Sequence, residues 1–498
     1  MNYCQFSNID FNFDGKNDLF VFDRSCNFWT CFIQNGSVAA PDFVYAPQYE
    51  ALFPGDLKDW VLLVDYNCDG LPDIFTSTIG GCRVFLNTGD SGSGHSFELA
   101  SPILPTSVEG SPGYMYFNSV DIPAIVDVDG DSDIDVLNFG VLATAIEYHR
   151  NMSMELYGTC DSLVFETKNE CWGRFTESTT SNEMTLWDTL TYPCDGTIDN
   201  PEFPLEDNER QDRHAGSSVL ALDMDNSTTL DLVIGDITFK NLSLLMNSGT
   251  VPNTNSGMDS QETNFPSTSV PVDIDIFPAA YHVDWDDDGI RDLLVSPASI
   301  LNSKNQNSVW AYRNVGTESF PTFEYVEEDF VQDGMIDVGQ KSLPVFFDQN
   351  GDGLKDLLVS VHDQYDPSTG DQISRIAYYE NVGTSTDPEF LLMDEDWQSL
   401  STMDIGAGLS FYPTFGDLDN DGDEDMILGE FEGWCHYFEN TGGSGAAVFT
   451  SFETLQTSSG SDVYEGTTFA YPCLIDLDRD DDLDLVLGRR DGQLSYYE

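Results

Sequence analysis

Apolar residues fall along this chain in short runs that come in pairs. VLLV at 61–64, PAIV at 123–126 and SVLAL at 218–222 each stop at a compact polar cluster, after which a second run begins, as in DLFVF, DLVIG, DLLVS and DLVLG. Short runs rich in β-branched and aromatic residues, broken by tight polar turns, read as strand, loop, strand; an amphipathic helix would repeat its apolar positions every three to four residues.

The polar clusters are copies of one pattern, Asp-x-[Asp/Asn]-x-Asp-Gly-x-x-Asp-[Leu/Ile]. Copies start at Asp10, Asp65, Asp127, Asp223, Asp284, Asp348, Asp417 and Asp476, with steps of 55 to 69 residues except for one of 96 between the third and fourth. A second landmark follows each of the first seven, an apolar stretch ending in Asn-x-Gly or a near relative, at Asn35, Asn87, Asn151, Asn247, Asn314, Asn381 and Asn440. Further apolar runs (PDFVYA, TFEYV, PEFLLM) bring each repeat to four strands. Such a unit cannot bury both faces alone, so the repeats must stack, and radial stacking of four-stranded units gives a propeller. The expectation is an all-β, eight-bladed β-propeller of four-stranded antiparallel blades forming a single domain over 1–498, with seven blades as the alternative.

The 96-residue step predicts an insertion at about 155–212 on the third blade, holding Cys160, Cys171 and Cys194, and the Ser/Thr/Asn-rich stretch 251–270 reads as a long polar loop. The eighth repeat reaches Glu498 before an Asn landmark, which predicts an incomplete last blade. Cys160–Cys171 is the local disulfide candidate. Cys4–Cys473 is a candidate if the first and eighth blades are neighbours in a ring.

Charge sharpens the reading of the loops. The chain carries 88 acidic and 19 basic residues, a net −69, which excludes nucleic acid and anionic membrane surfaces as partners, since both need basic patches. The nine-residue loop windows hold 34 of the 88 acidic residues, so much of the surplus sits where a cation can use it. Oxygen groups at positions 1, 3, 5 and 9 of one turn repel one another unless a hard cation lies among them, and this donor set suits Ca²⁺, with a main-chain carbonyl from position 7 and Gly at position 6 for the bend. The loop begins like an EF-hand but ends in Asp at position 9 and joins strands, which excludes that motif.

The predicted ligands are Asp10, Asn12, Asp14 and Asp18; Asp65, Asn67, Asp69 and Asp73; Asp127, Asp129, Asp131 and Asp135; Asp284, Asp286, Asp288 and Asp292; Asp348, Asn350, Asp352 and Asp356; Asp417, Asp419, Asp421 and Asp425; and Asp476, Asp478, Asp480 and Asp484. Loop three puts Ser132 at the bend and its Gly at Gly130, and loop eight has Asp481 at the bend. Loop four, with Ser227 and Thr228, is too degenerate to join the set. About six to eight calcium sites are expected.

These loops, with Phe415-Gly416 before Asp417 and a Gly after the second strand (Gly235, Gly429, Gly488), resemble FG-GAP/VCBS repeats, the units of the propellers in integrin α-subunits and many secreted bacterial proteins. The resemblance implies calcium loops on one face and any ligand on the opposite face. Ten cysteines without a CxxC pair favour structural disulfides in a secreted or cell-surface protein. No apolar run approaches the roughly 18 residues of a membrane-spanning helix. Tyr49, Phe53, Trp60, Tyr114, Tyr116 and Trp397 lie in the connections between repeats and are candidates for stacking on an extracellular protein or carbohydrate ligand. The functional expectation is a calcium-binding module for ligand binding, adhesion or scaffolding, and not an enzyme. The alternative is a polysaccharide lyase-like enzyme, for which Arg213-His214 is the candidate pair; the six His are scattered over different repeats, and no Ser/His/Asp elbow, phosphate loop or zinc signature is present.

Overall fold

Each strand–loop–strand pair anticipated from the apolar pattern is present in the computed structural model, which describes residues 1–140, 145–177, 181–186, 216–252, 257–299, 303, 306–339, 341–362, 364–366, 370–405, 409–443, 445–464, 466, 469–480 and 482–498. Among the described residues eight sheets of three or more strands follow one another along the chain, each built on antiparallel strands designated A to D in chain order. Sheet 1 comprises Cys4–Ile9, Asp18–Asp23, Phe28–Gln34 and Phe43–Tyr45, and sheet 2 Val61–Val64, Asp73–Thr78, Gly81–Asn87 and Phe97–Ser101. Sheet 3 contains Ala124–Val126, Asp135–Phe139, Ile146–Asn151 and Phe165–Trp172. Sheet 4 is Ser217–Leu222, Asp231–Asp236, Leu242–Asn247 and Met258–Phe265, and sheet 5 is Pro278–Val283, Asp292–Pro297, Trp310–Asn314 and Phe323–Glu327. Sheets 6 and 7 are Leu343–Phe347, Asp356–Ser360, Ile376–Asn381 and Phe390–Asp394, then Tyr412–Gly416, Asp425–Gly429, Cys435–Phe438 and Glu453–Thr454. Sheet 8 has three strands, Ala470–Ile475, Asp484–Arg489 and Leu494–Tyr497.

One register is repeated eight times. Every A strand ends on the residue before the loop's first Asp, every B strand begins on its ninth, and the two pair, from Ile9 with Asp18 and Val64 with Asp73 to Gly416 with Asp425 and Ile475 with Asp484. The B strands Asp231–Asp236, Asp292–Pro297, Asp356–Ser360 and Asp425–Gly429 are buried throughout, as their unbroken apolar runs require, whereas the D strands Phe97–Ser101 and Phe390–Asp394 are largely exposed.

Sheet 3 corrects the expected insertion. Phe165–Trp172 lies inside 155–212, yet it is the D strand of this sheet, pairing with strand C. The hairpin Pro105–Val108/Ser111–Tyr114 adds two strands to the same edge, giving six. Its polar alternation, FETKNECW, hid the strand among loop residues. Residues 187–215, including Cys194 and the Arg213-His214 pair, lie outside the described residues.

Where the repeat count pointed to a single domain, the described residues form two compact units, Met1–Met335 with sheets 1–5 and Ile336–Glu498 with sheets 6–8. In the first unit neighbouring sheets meet along their A strands through side-chain and main-chain hydrogen bonds. Val61 N–H donates to Gln5 Oε1 at 2.7 Å, Leu63 N–H to Ser7 Oγ at 3.1 Å, and Val219 N–H to the Ile122 carbonyl at 2.9 Å. Sheet 1 also meets sheet 5. Asn8 Nδ2 donates to the Asp284 carbonyl at 3.0 Å, Asn8 Oδ1 accepts from Asp284 N–H at 2.9 Å, and Ser296 Oγ donates to the Cys4 carbonyl. Within this unit the reciprocal Asn8 amide pair fixes sheet 1 beside sheet 5. The A strands of all five sheets line one cavity of about 280 Å³, with Ser7, Leu63, Ile125, Leu220 and Tyr281 in its wall.

Unit 2 is organised around stacked rings. Phe347 and Phe415, from the A strands of sheets 6 and 7, lie 4.0 Å apart between centroids, and Trp397 packs edge-on against both. Trp397 is 2% exposed and donates from Nε1 to Gln349 Oε1 at 3.1 Å; Trp60 is fully buried and Phe53 is buried. These three expected ligand contacts are therefore core residues, while Tyr114 and Tyr116 are exposed. Trp397→Ala should cost about 3–5 kcal/mol of unfolding free energy through the cavity it leaves, and urea denaturation of the variant checks this.

The disulfide guess is also corrected. Cys160 is bonded to Cys68, 92 residues earlier, which joins loop two to the segment after strand C of sheet 3. Cys171 is disulfide-bonded as well, so Cys160–Cys171 does not form. Cys4 is a buried thiol and Cys473 an exposed one.

Candidate metal centres

Each loop folds around its first Asp. In loop one Asp10 Oδ1 accepts from Asp14 N–H at 3.0 Å and Oδ2 from Gly15 N–H at 2.8 Å. The same two bonds, to the N–H groups of positions 5 and 6, recur on Asp65, Asp223, Asp284 and Asp348. The position-5 Asp then caps the N–H of position 7, as Asp69 does for Leu71 at 2.8 Å and Asp352 for Leu354 at 2.8 Å. This tight curl gathers side-chain oxygens of the loop around one centre.

The curl needs a left-handed backbone at two positions, and the sequence reading recognised only one of them. Position 6 has φ of +88° at Gly15, +100° at Gly422, +84° at Ser132 and +69° at Thr228. Position 4 is also left-handed in all eight loops, at Phe13, Cys68, Gly130, Asn226, Asp287, Gly351, Asn420 and Arg479. Gly130 is thus not a displaced bend glycine but fills the other left-handed position, at which Asn and Asp are tolerated and Gly is free of strain. Loop three keeps the common register, with Ser132 N–H on Asp127 Oδ2 at 3.0 Å.

Carboxylate oxygens converge within 4.8 Å of one another in the sets Asp127/Asp129/Asp135, Asp284/Asp286/Asp292 and Asp417/Asp419/Asp421. Asp223/Asp225/Asp231 converge equally, so loop four, set aside on its sequence, has the same geometry. Where position 3 is Asn, its Oδ1 accepts from position 5 and its Nδ2 faces that carboxylate: Asn12 to Asp14 at 3.1 Å, Asn67 to Asp69 at 2.9 Å, Asn350 to Asp352 at 3.2 Å. In loop eight Asp476 Oδ1 accepts from Arg479 N–H and Asp480 Oδ1 from Asp482 N–H; Asp481 lies outside the described residues. Several inward oxygens have no hydrogen-bond partner, among them Asp286 Oδ1, on a residue 1% exposed, both oxygens of Asp129, and Asp417 Oδ1. Buried carboxylate oxygens left in that state are costly unless a cation meets them. Arg313 Nε meets the other Asp286 oxygen at 2.8 Å.

Position 9 has a second task. These eight Asp are at most 1% exposed, and in most loops one oxygen accepts from the N–H of loop position 2, the other from the N–H that ends strand C. Asp73 takes Tyr66 at 3.1 Å and Asn87 at 2.7 Å; Asp425 takes Leu418 at 3.1 Å and Asn440 at 2.9 Å. The Asn landmark is therefore the partner of the ninth loop residue. Except at Asn151, its Nδ2 donates to the carbonyl of position 8, and its Oδ1 accepts from the turn beyond, as Asn314 does from Gly316 and Thr322, both at 3.0 Å. In the first repeat this place belongs to Gln34, not Asn35: Gln34 N–H bonds Asp18 at 2.8 Å and Oε1 takes Gly36 and Asp42. Sheet 8 has no such Asn, and Tyr496 Oη donates to Asp484 at 2.8 Å.

Burial pushes five of these carboxyls up against the opposing pull of their backbone donors, to about 6 for Asp18 and Asp231, about 7 for Asp73, and about 8 for Asp135 and Asp292. Without a cation the folded protein then holds protons that the unfolded chain, titrating near 4, has released. This stability is fully present below pH 4 and is lost as pH rises through 6 to 8. A bound cation competes with those protons. The rise in melting temperature on adding calcium should therefore be larger at pH 8 than at pH 6; scanning calorimetry at both values checks the sign, and an equal or reversed difference would contradict it.

No family model matches the chain and no curated protein resembles it. Solved structures similar to it include an Agrocybe aegerita lectin described as recognising non-reducing terminal N-acetylglucosamine, with 16% identity, 94% of each chain covered and a TM-score of 0.27. Two others are TcdB2-TccC3-Cdc42, with 12% identity over 87% of this chain and 20% of that one, TM-score 0.29, and BBS1N in complex with ARL6DN, with 9% identity over 99% and 92%, TM-score 0.17. Such TM-scores lie below the level of a shared fold, so the architecture rests on the strand pairing given above.

Proposed function

We propose that this chain is a calcium-binding module built of eight propeller-type blades of the FG-GAP/VCBS kind, secreted or on the cell surface, and that it binds or scaffolds rather than catalyses. The observation that carries the reading is the recurrence of one loop geometry that gathers carboxylate oxygens, several of which in loops three, five and seven have no hydrogen-bond partner. All donors are oxygen, which suits Ca²⁺ over softer metals. The Cys68–Cys160 disulfide fits an oxidising compartment. A lyase would need an accessible base. Among the described residues His95, His149, His362 and His436 are buried, and burial holds His282 down at about 3.

A protein or carbohydrate ligand is the proposed partner; of the six candidate aromatics Tyr114 and Tyr116 are exposed and Tyr49, stacked on Phe11, is half-buried. The test of the calcium reading is a single-loop variant. Asp417→Ala should remove one calcium from the number bound per chain, read by mass spectrometry after equilibrium dialysis; an unchanged count would contradict it.

A further inference from the structure

The third loop is joined by a carboxylate from outside it. Glu155, on the short helix Ser153–Tyr157 after strand C of sheet 3, brings an oxygen within 4.8 Å of oxygens of Asp129 and Asp131. Asp129 also belongs, with Asp127 and Asp135, to the loop's own set. Asp133, at position 7, adds a carboxylate that is 1% exposed, with Oδ2 accepting from Met154 N–H at 2.9 Å.

Two features point to a ligand beyond one loop ion. Asp129 is 7% exposed and neither of its oxygens has a hydrogen-bond partner, and Asp133 Oδ1 has none either. The basic group among them, Arg150, lies 3.0 Å from Glu155, 2.6 Å from Glu166 and 4.0 Å from Asp129, so its one charge is divided. Against that charge stand Asp127, Asp129, Asp131, Asp133, Asp135 and Glu155. One divalent ion leaves the cluster three charges negative and a second leaves it one. Glu155 is also held in place. Ser153 N–H bonds Asn151 Oδ1 at 3.2 Å, Ser153 Oγ donates to the Thr159 carbonyl at 2.7 Å and accepts from Ser162 N–H at 3.0 Å, and Cys160 is tied to Cys68 of loop two.

We propose that loop three holds two calcium ions, one among Asp127, Asp129 and Asp135 and a second among Asp129, Asp131 and Glu155, with the Asp129 carboxylate bridging them. Carboxylate-bridged divalent pairs sit roughly 3.5–4 Å apart, and a carboxylate with neither oxygen hydrogen-bonded is suited to the bridge. This inference rests on the calcium reading of the loops.

The test is the calcium bound per chain after equilibrium dialysis, for the native chain and for Glu155→Gln, Asp129→Asn and Asp286→Asn. Glu155→Gln should bind one ion fewer, Asp129→Asn two fewer, and Asp286→Asn, in loop five, one fewer. Glu155 has 32% of its side chain exposed, so the amide variant disturbs little of the core. Glu155→Asp, which keeps the charge and withdraws it by one methylene, should also lose one ion and serves if the amide variant fails to fold. An undiminished count in both Glu155 variants, or a loss of one ion in Asp129→Asn, overturns the second site. If Asp286→Asn loses its ion while the Glu155 variants lose none, the second site alone falls; a native chain that binds no calcium overturns the loop reading with it.

Discussion

Removing calcium with EDTA should lower the melting temperature of both units by at least about 10 °C. Extracellular calcium modules bind at roughly 10⁻⁴ to 10⁻³ M, and a site at about 100 times its Kd adds on the order of 2.7 kcal/mol. Loops one, two and five, which have every ligand and the bend glycine, then supply about 8 kcal/mol to unit 1, and loops six and seven about 5 kcal/mol to unit 2. These sums are comparable with the whole ~5–15 kcal/mol margin of a folded domain. For the smaller unit 1 kcal/mol is worth roughly 2–4 °C, and somewhat less for the larger one. The chelated state is penalised further because the converging carboxylates face one another without a counter-ion. Differential scanning calorimetry with and without EDTA reads the effect; coincident melting curves would refute it.

The second large effect separates the two tasks of the loop. Asp356 accepts from Gln349 N–H and from Asn381 N–H, both at 2.9 Å, and is fully buried. Asp356→Ala leaves two buried N–H groups without acceptors, at about 1–3 kcal/mol each. It should therefore destabilise unit 2 by about 2–6 kcal/mol whether or not calcium is present. Asp352, at position 5 of the same loop, is exposed and bonds mainly within the loop. Asp352→Ala should lower stability in calcium and change little in EDTA. Urea titrations of both variants in the two conditions check this, and equal losses of the two variants in EDTA would contradict the division of labour.

The repeat was legible because its constraints are local. A nine-residue turn between two apolar runs fixes register within itself, so the loop's start, its bend and the first residue of strand B could all be read from the chain. The sequence also displayed the Asn landmark without its meaning, because the bond from Asn87 to Asp73 joins residues on different strands. Gln34 was missed for the same reason: its backbone place is defined by the partner Asp18, not by its own type. Loop four looked unfit because hydroxyls replace a carboxylate and the bend glycine, yet the curl depends on N–H groups that any residue supplies. Strand Phe165–Trp172 carries too many polar residues to show its periodicity, since an outer strand needs to bury only one face. The adjacency of sheets 1 and 5 and the Cys68–Cys160 bond link residues far apart in the chain, and neither leaves a local mark. Trp60 and Trp397 sit in connections, where an aromatic is as well suited to sealing two sheets together as to meeting a ligand.

The central claim, that these loops are calcium sites, is tested most directly by anomalous diffraction from crystals soaked with terbium, which takes calcium's oxygen ligands. The account predicts a peak at the centre of each of loops one, two, five, six and seven, among the side chains of positions 1, 3, 5 and 9. Density without an anomalous peak in any of these five loops would contradict it.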